Sequence, residues 1–267
     1  MYDLAVVVPA RRGSSRISEK CLLPFGDHRT LIEWKLSQLS KVIEPERIYL
    51  SSEDDEFLEL TDRFGVSRHR RDRRLAEDHI APFCDVITGI VREIPHEHIA
   101  WATVVCPLMA PQEYVDAFRA YHKHVLRGDR DSLLCVNRAK DYYWSHDGAL
   151  NYEANRHHTI SQKLPDWFKV TNSLYMAPRA QILEQEYFVG ENPRLFPLSK
   201  LAGVDIDYIE DYRIARALYA VYQEDDLDAV SPSSSINWSQ YDTGFIRPPL
   251  HPRWDIGGAD SRRVSHR

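Results

Sequence analysis

Leu4-Ala-Val-Val-Val-Pro-Ala-Arg-Arg-Gly-Ser-Ser-Arg16, followed four residues later by Lys20, is the stretch on which the fold turns. Leu4 to Pro9 is a short, continuously apolar, β-branched run that ends in a polar loop, the pattern of a strand buried on both faces of a parallel sheet. The loop fits neither GxxxxGK(S/T) nor GxGxxG, so it is neither a Walker loop nor a Rossmann fingerprint. Its chemistry is nevertheless that of an anion cradle. Gly13 admits close backbone approach, Ser14 and Ser15 add donors, and Arg11, Arg12, Arg16 and Lys20 bring positive charge to the carboxyl end of a strand. The alternative is a solvated basic loop. A net charge of −6, from 34 basic and 40 acidic residues, makes a local basic cluster informative and argues against a chain held by overall charge to nucleic acid or to a membrane.

Outward from that loop, strand and helix patterns alternate. Thr30 precedes Leu31, Ile32, Trp34, Leu36 and Leu39, a capped helix, and Arg47 to Ser51 reads as a second strand, completing a βαβ unit. Asp54 to Phe64 before Gly65 predicts a helix, as does the spacing of Phe83, Val86, Ile87, Ile90, Val91 and Ile94. A strand is expected over Trp101 to Cys106, a helix through Tyr114, Phe118, Tyr121 and Val125, and strands over Ser132 to Val136 and Ser173 to Met176. Val204-Asp-Ile-Asp207 reads as a last apolar strand before a helix over about Tyr208 to Gln223. The fold class is α/β, with a mixed, mainly parallel sheet flanked by helices and a ligand site at the strands' carboxyl ends.

With 267 residues, 43% hydrophobic and 28% charged, the chain is read as one large domain over 1–223 and a C-terminal extension over 224–267, partly disordered on its composition. Residues 137–170 change character to aromatics and turn signals without helix period, and predict an inserted hairpin-rich arm that covers a sheet edge or packs on a second subunit. Cys21, Cys84, Cys106 and Cys135 form no CxxC pair and read as reduced thiols, mostly buried. The first residues lack a signal-peptide pattern, so a cytoplasmic protein is expected.

Asp205 and Asp207 stand two apart, so on a strand both carboxylates would share a face and hold one hard divalent ion, Mg²⁺ by its ligand preference. The competing role is a helix cap by Asp207 with Glu210 reaching back, which leaves Asp205 unexplained. Arg68 to Arg74 reads as a solvated basic face, and His157-His158 lack a third ligand at metal spacing.

Val6 to Pro24 closely resembles the opening of the CMP-sialic acid synthetases (acylneuraminate cytidylyltransferases), with their I-P-A-R-x-x-S-x-x-I-x-x-K-N signature. Four further segments agree in order: Leu50-Ser-Ser-Glu-Asp54, Arg71 to Asp78, Asn172-Ser-Leu-Tyr175 and Val204-Asp-Ile-Asp207, the match spanning about residues 1 to 222. The resemblance implies a nucleotide-diphospho-sugar transferase-like fold, CTP as co-substrate, Mg²⁺, and a homodimer whose aromatic arm reaches the neighbour's sugar site. It implies roles for Arg11, Gly13, Ser14 and Lys20 in the triphosphate loop and for Arg71 on the nucleotide side. It further implies Asn172 at the substrate and Asp205 and Asp207 at the metal, with Lys20, Arg11 and Asp207 carrying catalysis.

Cys21 replaces the family's Asn, Ser18 its Pro and Ser173 its Gly, and Pro107-Leu-Met-Ala-Pro111 replaces Q-P-T-S-P, departures that bear on substrate identity more than on reaction class. The expected activity is transfer of CMP from CTP to the anomeric hydroxyl of a sialic (nonulosonic) acid with release of pyrophosphate. The alternatives are the same reaction on octulosonate, pseudaminic or legionaminic acids, a D-x-D glycosyltransferase, and a CTP-binding protein without turnover.

Overall fold

The computed structural model describes residues 3–76 and 81–228. The C-terminal extension from 229 onward and the end of the Arg71 to Asp78 segment lie outside the described residues. The described strands are β1 (Leu4–Pro9), β2 (Ile48–Ser52), β3 (Ser67–Arg70), β4 (His98–Ala102), β5 (Leu133–Ala139), β6 (Trp144–Ser145), β7 (Gly148–Ala149), β8 (Trp167–Pro178) and β9 (Arg194–Pro197). The helices are α1 (Leu31–Ser40), α2 (Asp55–Phe64), α3 (Phe83–Glu93), α4 (Pro111–Tyr121), α5 (Arg179–Gln185) and α6 (Ile209–Glu224).

Local chemistry explains the early elements. Thr30 accepts the amide of Glu33 at 3.0 Å and starts α1, and Asp54 accepts that of Phe57 at 3.1 Å and starts α2. Gly65, at φ 66°, ends α2 in the left-handed conformation that glycine adopts without strain. Alternate residues of β1 then feed two cores. Leu4, Val6 and Val8 pack with α1, α4 and α6, while Ala5 and Val7 pack with α3 and α5, giving three layers.

The seven-stranded sheet runs β3-β2-β1-β4-β8-β5-β9. β8 pairs antiparallel with both β4 and β5, whereas the other described pairs in this sheet are parallel. The chain leaves β1 toward β2 and β3 and returns to β4 on its other side. The loops that follow β1 and β4 therefore diverge and open a crevice, the place where open α/β sheets bind ligands.

Three expectations change. The strand expected over Trp101 to Cys106 is β4, which lies three residues earlier and ends at Ala102. Thr103 to Ala110 form a loop whose apolar residues are buried because α1 holds it down. Val204 to Asp207 is a loop, tied to the β4 side by the Ile206 amide donating to the Val105 carbonyl at 3.0 Å. The 137–170 arm begins and ends within β5 and β8, and its β6–β7 hairpin is only two residues per strand. Stacking of Tyr143 on Trp167 and the cluster of Tyr142, Tyr152 and His158 organise the rest of the arm. Cys21, Cys106 and Cys135 are buried free thiols, and Cys84 is half-buried.

Candidate active site

The crevice is bounded by the loop after β1, the loop after β4, the middle of β8 and the 199–207 segment before α6. Lys20, only 11% exposed at its side chain, donates to the Ile206 carbonyl at 2.6 Å and lies 3.6 Å from Asp207 Oδ1. The start of the chain thus meets the segment that carries both acids. Arg16 reaches the same Asp207 oxygen at 2.7 Å and lies over the Tyr208 ring.

Asp207 does not cap α6. The carboxylate of Asp211 accepts the amides of Asp207 at 3.0 Å and Tyr208 at 2.7 Å, so the helix start is satisfied from inside and the Asp207 side chain faces the cations. Asp205 lies deeper. Burial pushes its pKa up, and the nearby Asp207 adds to that, while a hydrogen bond from Asn172 Nδ2 to Oδ2 opposes it. The other oxygen, Oδ1, is buried without a hydrogen-bond partner. A buried carboxylate oxygen that lacks a partner beside a second carboxylate suits a hard cation. Among the described residues no group of three or more His, Cys, Asp and Glu side chains could hold a metal, so an ion on Asp205 and Asp207 would draw its remaining ligands from water and phosphate.

The β1 loop divides its cations unequally. Gly13 is exposed, and a Cβ there would meet nothing within 4 Å, so the loop is open to solvent at this position. Arg11 donates to the Ala76 carbonyl at 3.3 Å. Arg12 is held among Asp54, Glu56 and Glu19, and its guanidinium keeps the Asp54 carboxyl below the usual range. Arg71, 3% exposed, stands behind the loop, donating to the Ala10 carbonyl at 3.0 Å and to Glu53 at 2.7 Å. Glu53 in turn accepts the Arg12 amide at 3.0 Å. Arg71 therefore fixes the loop's first turn from beneath.

On the other wall, α1 pins the loop after β4 by three side-chain donors. Trp34 Nε1 reaches the Pro107 carbonyl at 2.7 Å, Lys35 Nζ the Cys106 carbonyl at 2.8 Å, and Gln38 Nε2 the Met109 carbonyl at 2.9 Å. Burial lowers the Lys35 pKa to about 8 and raises that of Cys106 to about 12. Asn172 enters the crevice from β8, where its own carbonyl accepts the Thr103 hydroxyl at 2.5 Å. Lys20, Arg16, Asn172, Asp205 and Asp207 are thus brought together, with Gly13 and Ser14 on the adjoining loop and Arg71 behind it. Sequence reasoning missed the α1 donors, since Lys35 and Gln38 look in the sequence like the helix's other polar positions, Glu33, Ser37 and Ser40.

A family model described as Cytidylyltransferase matches residues 5–154. A pseudaminic acid cytidylyltransferase of Campylobacter jejuni is 22% identical over 226 residues, covering 82% of this chain and 97% of that protein. A post-translational flagellin modification protein B of Campylobacter coli is 21% identical over 233 residues, covering 82% of this chain and 95% of that protein. Among solved structures, a CMP:2-keto-3-deoxy-manno-octonic acid synthetase complexed with CTP superposes with a TM-score of 0.61 at 16% identity, over 83% of this chain and 99% of that one. The fold is that of these nucleotidyltransferases, as expected from the sequence.

Proposed function

The chain belongs to the cytidylyltransferase family, and from that premise we propose that it transfers CMP from CTP to the anomeric hydroxyl of a nonulosonic acid, releasing pyrophosphate. The similarity to pseudaminic acid cytidylyltransferases favours an acceptor of the pseudaminic type, one of the alternatives raised by the sequence, over sialic acid itself. The observation that supports the reading is the approach of Lys20 Nζ to within 3.6 Å of Asp207 Oδ1 at the crevice, where a phosphate binder and a metal carboxylate can serve one nucleotide.

In this reading the amides of Gly13 and Ser14 with Lys20 and Arg11 hold the triphosphate, while Arg71 keeps that loop in place. Asp205 and Asp207 would hold Mg²⁺, which when bound supplies charge neutralisation on the phosphate oxygens and activates the attacking hydroxyl. Arg16 and Lys20 set two positive charges against the one negative charge of Asp207, so an incoming nucleotide meets a wall on which cations outnumber that carboxylate. Asn172, hydrogen-bonded to Asp205, would meet the sugar acid in this reading. The protein's task is to align the hydroxyl in line with the α-phosphorus and to stabilise the charge that develops.

The exposed arm carries Trp144 (62% exposed), Leu150, Ile160, Phe168 and Val170, an apolar surface that supports a homodimer in which the arm packs on a second copy. Among the described residues no helix is long and apolar enough to cross a membrane. The deciding assay is pyrophosphate release with each NTP against a panel of 2-keto sugar acids. Release with CTP and a nonulosonic acid is expected. Consumption of a nucleotide sugar without CTP would replace the proposal by a glycosyltransferase, and CTP binding with no release under any acceptor would replace it by a binding protein.

A further inference from the structure

Tyr175 and Asn172 touch although they are three residues apart on one strand. In a regular strand such residues sit on opposite faces and about 10 Å apart. Here β8 carries a large irregularity on its β5 side: Leu134 pairs with Tyr175 and Val136 with Val170, so Thr171 to Leu174 together stand opposite Cys135. Thr171 Oγ1 bonds the Cys135 carbonyl at 3.1 Å and closes the gap. The bulge brings the Tyr175 hydroxyl onto Asn172 Oδ1 at 2.9 Å. Tyr175 is itself fixed, 6% exposed with its ring 4.2 Å from that of Phe188, centroid to centroid.

Only one end of the Asn172 amide can then face Asp205. With Oδ1 accepting from Tyr175, the NH₂ points at Asp205 Oδ2, and Asp205 Oδ1 is left buried and without a partner. Turning the amide over would set a carbonyl against a carboxylate. Burial raises the Tyr175 pKa, which keeps the phenol protonated and therefore able to donate. Resting on the metal reading of Asp205 above, we infer that Tyr175 is a positioning residue for the metal site: through Asn172 it fixes the rotation of the Asp205 carboxylate and aims its unpaired oxygen at the cation. Partners of this kind typically change metal affinity 10–100-fold.

The test is Mn²⁺ titration of the full-length protein, free Mn²⁺ being read by electron paramagnetic resonance, for wild type, Tyr175→Phe, Asn172→Ala, the double variant and Asp205→Asn. Near-UV circular dichroism reports whether each variant folds. Tyr175→Phe and Asn172→Ala should each weaken Mn²⁺ about tenfold or more, and the double variant should bind no worse than Asn172→Ala. That non-additivity is what a merely structural loss at Tyr175 would not produce. The inference fails if Tyr175→Phe binds within about twofold of wild type, or if its effect is undiminished in the Asn172→Ala background. Should Tyr175→Phe not fold, Asn172→Ala decides on its own, and unchanged affinity there overturns the inference. Mn²⁺ binding that is the same in wild type and Asp205→Asn would instead overturn the metal reading beneath it.

Discussion

Gly203 gives the most direct handle on the segment that carries the two acids. A Cβ built there would lie 1.7 Å from Asn137 Oδ1, 2.7 Å from Asn137 Cγ and 3.1 Å from Thr171 Cγ2, whereas carbon makes comfortable contact at about 3.5–4.0 Å. Gly203→Ala therefore forces Asn137 or the 199–207 loop to move. If Asn137 turns away, its Nδ2 bonds to the carbonyls of Leu198 (3.1 Å) and Ser199 (2.7 Å) are lost. Two such bonds, with their acceptors left poorly paired, amount to about 2–4 kcal/mol. If the backbone yields instead, Asp205 moves with it, and a misplacement of about 1 Å in a reacting constellation costs on the order of a hundredfold in rate. Urea unfolding should thus show a loss of about 2–4 kcal/mol if Asn137 yields, and pyrophosphate release should fall at least about tenfold if the backbone does. Placed in an Asn137→Ala background, the same change should cost less than about 1 kcal/mol further, since the clashing side chain is gone. A Gly203→Ala protein with wild-type stability and turnover would show that the segment is not held by this close approach.

Asp207→Ala should lower CTP-dependent pyrophosphate release at least about a hundredfold, about 3 kcal/mol of barrier, and retention of substantial Mg²⁺-dependent release would remove Asp207 from the reaction. His98 makes a pH prediction: burial pushes its pKa from 6.5 down to about 4, so between those values the folded state binds fewer protons than the unfolded chain. Its stability contribution is complete above pH 6.5 and is lost as pH falls through 4, on the order of 3 kcal/mol in all, and His98→Gln should flatten that part of the urea-unfolding profile. On the proposed homodimer, replacing Trp144 and Ile160 by Ser should shift sedimentation toward the monomer; a protein that sediments identically would exclude these side chains from such an interface.

The elements that sequence reading placed well are those whose cause is local. β1 is a buried run, and α1 and α2 carry their own caps in Thr30, Asp54 and Gly65. The displaced β4 shows the opposite case. The apolar residues from Val104 to Ala110 are buried because side chains of α1 hold their loop, and burial without sheet pairing looks the same in a sequence as burial within a strand. β9 and α5 carried too little pattern to be seen, since β9 owes its place to pairing with β5 and α5 is seven residues anchored by Ile182. At the site, charge and spacing singled out Lys20 and Asp207 before the resemblance assigned their roles, but the strand geometry that was to align the two acids is absent. They share the crevice because Ile206, between them, bonds to Val105 on one side and to Lys20 on the other.

The charge of the β1 loop shows why a composition argument reaches only part of the way. Four cations in an acidic chain suggested a strong anion site, yet the loop's own neighbourhood claims some of that charge. Arg12 is matched by Glu19 on its own loop and by Asp54 and Glu56 at the start of α2, so it adds little field at the crevice and instead ties the loop to that helix. Arg16 and Lys20 are set against Asp207, a pairing that a divalent ion and a polyphosphate arriving together could exchange without leaving any charge unpaired. That arithmetic separates Arg16 from Arg12 as a target. Arg16→Gln should weaken CTP binding several-fold and steepen its dependence on Mg²⁺, because Asp207 then lacks one of its two cations. Arg12→Gln should lower thermal stability while leaving CTP affinity within about twofold. Calorimetric titration of CTP into both variants checks the pair, and the reverse ranking would mean that the loop presents Arg12, not Arg16, to the nucleotide.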